Sequence, residues 1–321
     1  MILILSNKKE PSTDAVIDYL LHRGIGFIRI NSEDLLDQDD LDIDLKSNVW
    51  TIGGQKVCLD QINVVWYRRW HSYNGKFNLK TQFKNQVIRE ITAELEELSH
   101  FLFLRLQGKR FLSDVQAIRK HNKLYTLFLA KNVGLNVPDS RIVNSKQILE
   151  KDIFNAKCIT KPIADSFAFS GEGEDLYKVF TDPVSHSVVE KLDDYFFPSF
   201  FQQKIDSQFE IRSFFLDGEF FSTAILNSTT LDVKRSVGFN AENVKMVPFM
   251  LQDDVKEKLS LLMSKLGLNC GAIDLIKDKD GAIYFLEVNP IGQFLGYSNA
   301  CNYQIEERIA SWLIANNNGK D

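Results

Sequence analysis

The chain has 321 residues, 44% apolar and 25% charged, the composition of soluble globular domains and enough length for two or three of them. Its 38 basic and 43 acidic residues leave a net charge of −5, which gives no general attraction to nucleic acid or an anionic membrane. No apolar run nears the roughly 18 residues of a spanning helix. Residues 1–7 lack the basic stretch and small-residue cleavage site of a secretion signal. Four scattered cysteines and five histidines form no close-spaced metal motif, and the cysteines read as reduced thiols of a cytoplasmic protein.

Ile2 to Leu5 reads as a short buried strand. Ser12, Thr13 and Asp14 offer helix caps ahead of Val16, Ile17, Leu20 and Leu21, and Gly24 marks the stop. Phe27 to Ile30 is a second strand, so the chain opens β-α-β, which implies a parallel sheet with a right-handed crossover. No GxGxxG follows the first strand, and a dinucleotide site is not supported. Seven acids lie between residues 33 and 44, alternating from Asp39 with Leu41, Ile43 and Leu45. This pattern predicts a strand with one wet face. Val49 to Ile52, Gly53-Gly54 and Lys56 to Leu59 predict a hairpin, and Ile62 to Tyr67 a strand that delivers Arg68, Arg69 and Trp70.

Residues 81–106 read as a long helix with Val87, Ile91, Leu95 and Leu98 on one stripe. From Arg105 to Lys123 six basic residues face one acid, Asp114. They read either as a solvated helix surface or as a local positive field for phosphates. Lys123 opens a helix through Val133, closed by Gly134 with Pro138 beyond. Boundaries near 115 and 195 divide the chain into segments 1–115, 116–195 and 196–321.

The most informative stretch is Gly271 to Pro290. Two apolar strands flank an Asp/Lys/Gly turn, a hairpin signal. A four-residue loop with Lys277 facing Ala282 pairs Asp274 with Phe285, and Glu287 then shares the face of Asp274 from a diagonal position. Asn289 joins the same face. The carboxylates either face water or, on an enclosed surface, repel unless a cation neutralises them. Oxygen donors with one amide suit magnesium, which commonly also meets nucleotide phosphates.

Other parts of a nucleotide site are present, although no P-loop occurs. Lys161-Pro162 ends a short apolar strand, and Ser166 to Gly173 is a small-residue loop able to lay backbone N–H groups on phosphate. Taken alone, Lys161 reads equally as a surface charge and the loop as a turn. Phe200 to Asp206 is a strand and connector, and Phe209 to Phe215 alternates so that Glu210 and Arg212 share a face.

This order of parts resembles the ATP-grasp ligases: Lys123, Lys161-Pro162, Gln203 at a hinge, Glu210 seven residues later, Asp274, and Glu287-Val288-Asn289. The resemblance covers about residues 120 to 310. It implies an α/β (α+β) ATP-grasp fold behind a β-α-β pre-ATP-grasp domain. It also implies that Lys123, Lys161 and the Ser166 loop contact phosphates, that Gln203, Lys204 and Ile205 with Leu286 border the adenine, and that Glu210 meets the ribose. Asp274, Glu287 and Asn289 would hold Mg2+. Arg212, Lys234 and Arg235 would supply catalytic positive charge toward the γ-phosphate and acyl group.

Val65-Trp66-Tyr67-Arg68-Arg69 and the hinge with Glu210-Ile211-Arg212 look like the microviridin-type peptide maturases, the graspetide synthetases. That resemblance implies ATP-dependent activation of Asp or Glu side chains in a ribosomal precursor peptide, followed by ester or amide macrocyclisation. Arg68 and Arg69 would then face the peptide's acids, or else form ion pairs at the core edge. The family resemblance also implies a homodimer. Two departures stand out. Gln203 replaces a common Glu, and Ala272 stands where some ligases of free amino acids carry Arg. A ligase joining an amino acid to a protein or small-molecule carboxylate is the alternative, and a non-catalytic nucleotide- or peptide-binding scaffold is a third reading.

Overall fold

A computed structural model of the protein describes residues 1–36, 40–70, 81–153, 157–164, 168–170, 176–178, 181–227 and 244–317. They form two compact units. The first comprises Met1–Lys120, Gly267–Cys270 and Gln293–Asp321, and the second His121–Leu266 and Gly271–Gly292. The first break lies five residues beyond the expected boundary at 115. The difference at the other end is larger, because the chain returns from the second unit to finish in the first.

In the first unit, β1 (Ile2–Ser6) is followed by α1 (Pro11–His22), β2 (Phe27–Asn31), and then β3 (Asp42–Ile43), β4 (Val49–Ile52), β5 (Gln55–Cys58) and β6 (Val64–Tyr67). Next come α2 (Lys84–Arg105), β7 (Arg110–Leu112) and α3 (Val115–Lys120). The parallel sheet has the order β2-β1-β6-β7. All five residues of β1 and all four of β6 are buried, as expected of strands covered on both faces. Its helix α1 begins one residue before the expected caps, because Pro11 fixes the first helical φ. The hydroxyl of Thr13 instead bonds that of Ser6 at 2.8 Å. The hairpin at Gly53-Gly54 forms as read, both glycines taking the positive φ a two-residue turn requires. The acidic strand is shorter than expected, two residues long among those described.

The second unit opens with α4 (Lys123–Asn132), capped by the Asn122 side chain accepting from Tyr125 N at 3.0 Å. It continues through β8 (Ser140–Ser145), α5 (Lys146–Ile148), β9 (Cys158–Thr160), β10 (Ala168–Ser170), β11 (Leu176–Lys178), β12 (Asp182–Pro183), α6 (His186–Glu190) and β13 (Tyr195–Gln203). Then come β14 (Ser207–Leu216), β15 (Glu219–Asn227), β16 (Val244–Phe249), α7 (Asp253–Lys265), β17 (Cys270–Asp278) and β18 (Ile283–Asn289). Two main sheets result, β12-β9-β13-β8 and β16-β15-β14-β17-β18. The chain closes in the first unit with α8 (Leu295–Cys301) and α9 (Ile305–Asn317), the latter packing on α1, β1 and β6.

No helix among the described residues is long and apolar enough to cross a membrane. All four cysteines are free thiols.

Candidate nucleotide and metal site

Asp274 sits directly opposite Glu287 in the β17–β18 ladder. The expected register was a diagonal one, and two features displace it. The turn spans Asp278 to Ala282, closed by Asp278 N donating to Ala282 O at 2.9 Å, so Lys277 faces Ile283 rather than Ala282. A bulge between Asp274 and Leu275 then inserts Leu286 as the extra residue of β18. Bulges re-aim side chains beside functional sites. Here the bulge lets Leu275 and Phe285 pair within the core while the two carboxylates meet across the ladder. Strict alternation fails at a bulge, so strand parity does not fix the side on which half-buried Leu286 lies.

Both carboxylates carry a cation. Lys123 Nζ lies 2.8 Å from Glu287 Oε2, and Arg212 Nη1 donates to Asp274 Oδ1. The strand β14 brings in Arg212, because it lies beside β17. Its side chain is buried, the residue being 8% exposed. The helix α4 brings in Lys123. It packs on β18, and the segment after it is pinned there by Phe285 N donating to Asn136 O at 2.8 Å and Asn136 Nδ2 to Ile283 O at 3.2 Å. Two cations and two carboxylates from four elements thus form one charge-balanced quartet.

Asn289, two residues beyond Glu287, pairs with Ala272, and its Oδ1 accepts from Ile291 N at 3.2 Å. A Cβ built on Gly292 would lie 2.2 Å from Ala272 Cβ and 3.0 Å from its backbone nitrogen. The close approach explains both residues. Glycine, which carries no Cβ, is what fits over Ala272, and the fully buried Ala272 has no room to become an Arg. Sequence reading missed Gly292, whose only signal is its place three residues after Asn289.

The remaining expected residues lie on neighbouring elements of the same unit. Lys161 follows β9, and its ammonium sits over the Phe200 ring, 5.6 Å from the centroid. Gln203 ends β13, its Oε1 accepting from Asp139 N at 3.4 Å, and Lys204 N donates to Lys157 O at 2.7 Å. The half-buried Ile205 precedes Asp206, whose carboxyl the Lys157 ammonium at 3.1 Å holds below its ordinary range. Half-buried Glu210 lies two residues before Arg212 on β14. Ser166 and the rest of the expected lid loop outside β10, and Lys234 and Arg235, fall outside the described residues.

In the first unit Arg68 is 4% exposed and bonds Glu10 Oε1 at 3.3 Å and the Ser12 hydroxyl at 3.4 Å. Its guanidinium lies 5.2 Å from the Phe294 ring centroid. Burial pulls the guanidinium down to about 10, against the opposing pull of Glu10. Of its two readings, this placement matches the core-edge ion pair. Arg69 shares the same carboxylate, with Nε 3.2 Å from Glu10 Oε2, and keeps 30% of its side chain accessible. In the basic segment, Arg105, Arg110 and Arg119 each lie over an aromatic ring, Phe101, Trp312 and Phe103 respectively.

Comparison with known proteins identifies the fold. Residues 1–119 match the family model described as the MvdD pre-ATP grasp domain. The macrocyclase MdnC of Microcystis aeruginosa MRC, solved bound with precursor peptide MdnA, matches at 25% identity and a TM-score of 0.84, covering 98% of each chain. The chain has an ATP-grasp fold. A RiPP-associated ATP-grasp ligase of Chryseobacterium gregarium, solved with ADP and a leader and core peptide, shares the fold at 24% identity and a TM-score of 0.83. That match covers 98% of this chain and 96% of that one. Macrocyclase MdnB of Microcystis aeruginosa MRC does so at 23% identity and a TM-score of 0.74, over 98% of each chain. No curated protein matches the chain in sequence.

The donor set of this site fits a magnesium ion. Asp274, Glu287 and Asn289 offer only hard oxygen donors, the type magnesium prefers. Among the described residues no group of three or more His, Cys, Asp or Glu is gathered.

Proposed function

We propose that the chain is an ATP-dependent ligase. It phosphorylates Asp or Glu side chains of a ribosomally made precursor peptide and closes macrocyclic esters or amides. The observation that carries this reading is the quartet of Asp274, Glu287, Lys123 and Arg212 within an ATP-grasp fold. That arrangement can receive a highly charged triphosphate without a P-loop.

Asp274, Glu287 and Asn289 would hold magnesium, which when bound would supply the charge neutralisation that lets one anion approach another. ATP is the second substrate. Lys123 and Lys161 bind its phosphates, Gln203, Lys204, Ile205 and Leu286 border the adenine, and Glu210 takes the ribose hydroxyls. A peptide carboxylate oxygen attacks the γ-phosphorus and ADP leaves. Arg212, with Lys234 and Arg235, stabilises the charge that develops. A hydroxyl or amine of the same peptide then attacks the acyl carbon, phosphate leaves, and the nucleophile gives up its proton. Intramolecular attack profits from proximity, and the loop around Ser166 excludes water that would hydrolyse the acyl phosphate.

The absence of any spanning helix among the described residues and the four free thiols support work in the cytoplasm. We further propose a homodimer, three functional segments at 1–115, 116–195 and 196–321, and recognition of the peptide's acids by Arg69. The test is incubation with an acidic, hydroxyl-rich precursor peptide. ATP- and magnesium-dependent loss of one water per ring, abolished in Glu287→Gln, is expected. ADP release driven by a free amino acid with the peptide mass unchanged would replace this reading with an amino-acid ligase.

A further inference from the structure

Lys123 stands at a position where a lysine is locally disfavoured. It is the first residue of α4, directly after the N-cap Asn122. The start of a helix is the positive end of its dipole, where acids are stabilising and cations are not. The first turn of α4 carries no acid to offset the ammonium. Natural chains break such local rules chiefly at functional sites.

The position also makes the ammonium depend on that one turn. Helical side chains lean toward the N-terminus, so a lysine at the first position extends off the end of the helix. Its Nζ meets Glu287 Oε2 on β18 at 2.8 Å. The opening turn is the part of a helix whose N–H groups have no helical partner. If it unwinds, the root of the Lys123 side chain moves with it.

Three side chains on either side of Lys123 hold the turn closed. Asn122 Oδ1 accepts from Tyr125 N at 3.0 Å. Buried Thr126 gives its hydroxyl proton to Asn122 O at 2.9 Å, beside the helical bond from Thr126 N to the same oxygen at 2.8 Å. A hydroxyl has one proton to give, so in the 3.2 Å contact between Thr126 Oγ1 and His121 Nε2 the ring nitrogen is the donor. Residues 121 and 122 thus close on residues 125 and 126, with Lys123 between them.

We propose that Asn122 is a positioning residue for Lys123. With Thr126 and His121 it keeps the opening turn of α4 wound against the unfavourable dipole, and so holds the ammonium where a nucleotide phosphate meets it. The inference deepens the proposed function and rests on it for the phosphate contact of Lys123.

The test is calorimetric titration of the full-length protein with ATP and magnesium, arranged as a double-mutant cycle. Asn122→Ala is expected to weaken ATP binding roughly threefold or more, because an uncapped turn is partly unwound and only the wound form presents the ammonium. Asn122→Ser, which also caps, is expected to stay within about twofold of wild type. In a Lys123→Ala background, Asn122→Ala is expected to add no further loss, since no ammonium remains to be placed. A cap with a merely structural role behaves otherwise. Its removal lowers the melting temperature and leaves ATP affinity unchanged, or lowers affinity equally with and without Lys123. Either result overturns the proposal, as does an affinity in Asn122→Ser as weak as that in Asn122→Ala. The expected coupling, with no peptide ever dehydrated by ATP, keeps the positioning role and sinks the ligase reading. ATP-dependent dehydration, with Asn122→Ala binding ATP as wild type does, has the reverse meaning.

Discussion

Lys123 Nζ lies 2.8 Å from Glu287 Oε2, so the first residue of α4 neutralises a carboxylate that a metal ion would claim. Each side chain retains about a fifth of its exposure, 22% and 20%, and such a pair contributes under about 1 kcal/mol. Lys123→Ala is therefore expected to melt close to wild type while ATP affinity falls about tenfold or more, because a charged phosphate contact is lost. Scanning calorimetry and titration with ATP check the two parts. Unchanged ATP affinity would remove Lys123 from the phosphate site.

The Arg212–Asp274 pair is more enclosed, with side-chain exposures of 10% and 16%. Arg212→Ala takes the guanidinium from a largely enclosed carboxylate, a change that costs up to about 3–5 kcal/mol. Adding Asp274→Ala is expected to restore part of that loss. Urea unfolding of the single and double variants measures it, and strict additivity would mean the two side chains are energetically independent.

Gly292→Ala would place a methyl group 2.2 Å from Ala272 Cβ. The backbone must shift beside Asn289, at an expected cost of about 1–3 kcal/mol for overpacking. Wild-type stability in the variant would show that this turn yields freely.

Burial pushes the Tyr67 phenol up to about 12, with Arg119 opposing. The unfolded chain ionises this group near pH 10, so between pH 10 and 12 the folded state holds the proton more tightly than the unfolded one. Stability from this group is complete below pH 10 and is lost as pH rises toward 12. Tyr67→Phe is expected to flatten that alkaline fall, followed as melting temperature against pH. An unchanged slope would assign the fall to other groups.

Much of this was legible in the sequence because the elements carry their own punctuation. The β-α-β opening, the Gly53-Gly54 hairpin and the α4 stop at Gly134 each combine a period with a breaker residue. The same-face placement of Asp274 and Glu287 was legible for the same reason. Their register was not, because the Leu286 bulge and a five-residue turn add residues that alternation alone cannot locate. Nor could the sequence show that Arg68 is buried while its neighbour stays accessible. That depends on Glu10, 58 positions away in the chain. The return of α9 to the first unit is a long-range packing choice and leaves no local mark.

The central claim is that opposed carboxylates on β17 and β18 serve ATP-driven activation of peptide side chains. Mass spectrometry of an acidic, hydroxyl-rich precursor peptide, incubated with wild type and Glu287→Gln, tests it most directly. Wild type should remove one water per ring only with ATP and magnesium, and the variant should leave the peptide intact. Equal dehydration by both proteins, or ATP consumption with no change in peptide mass, would contradict the account.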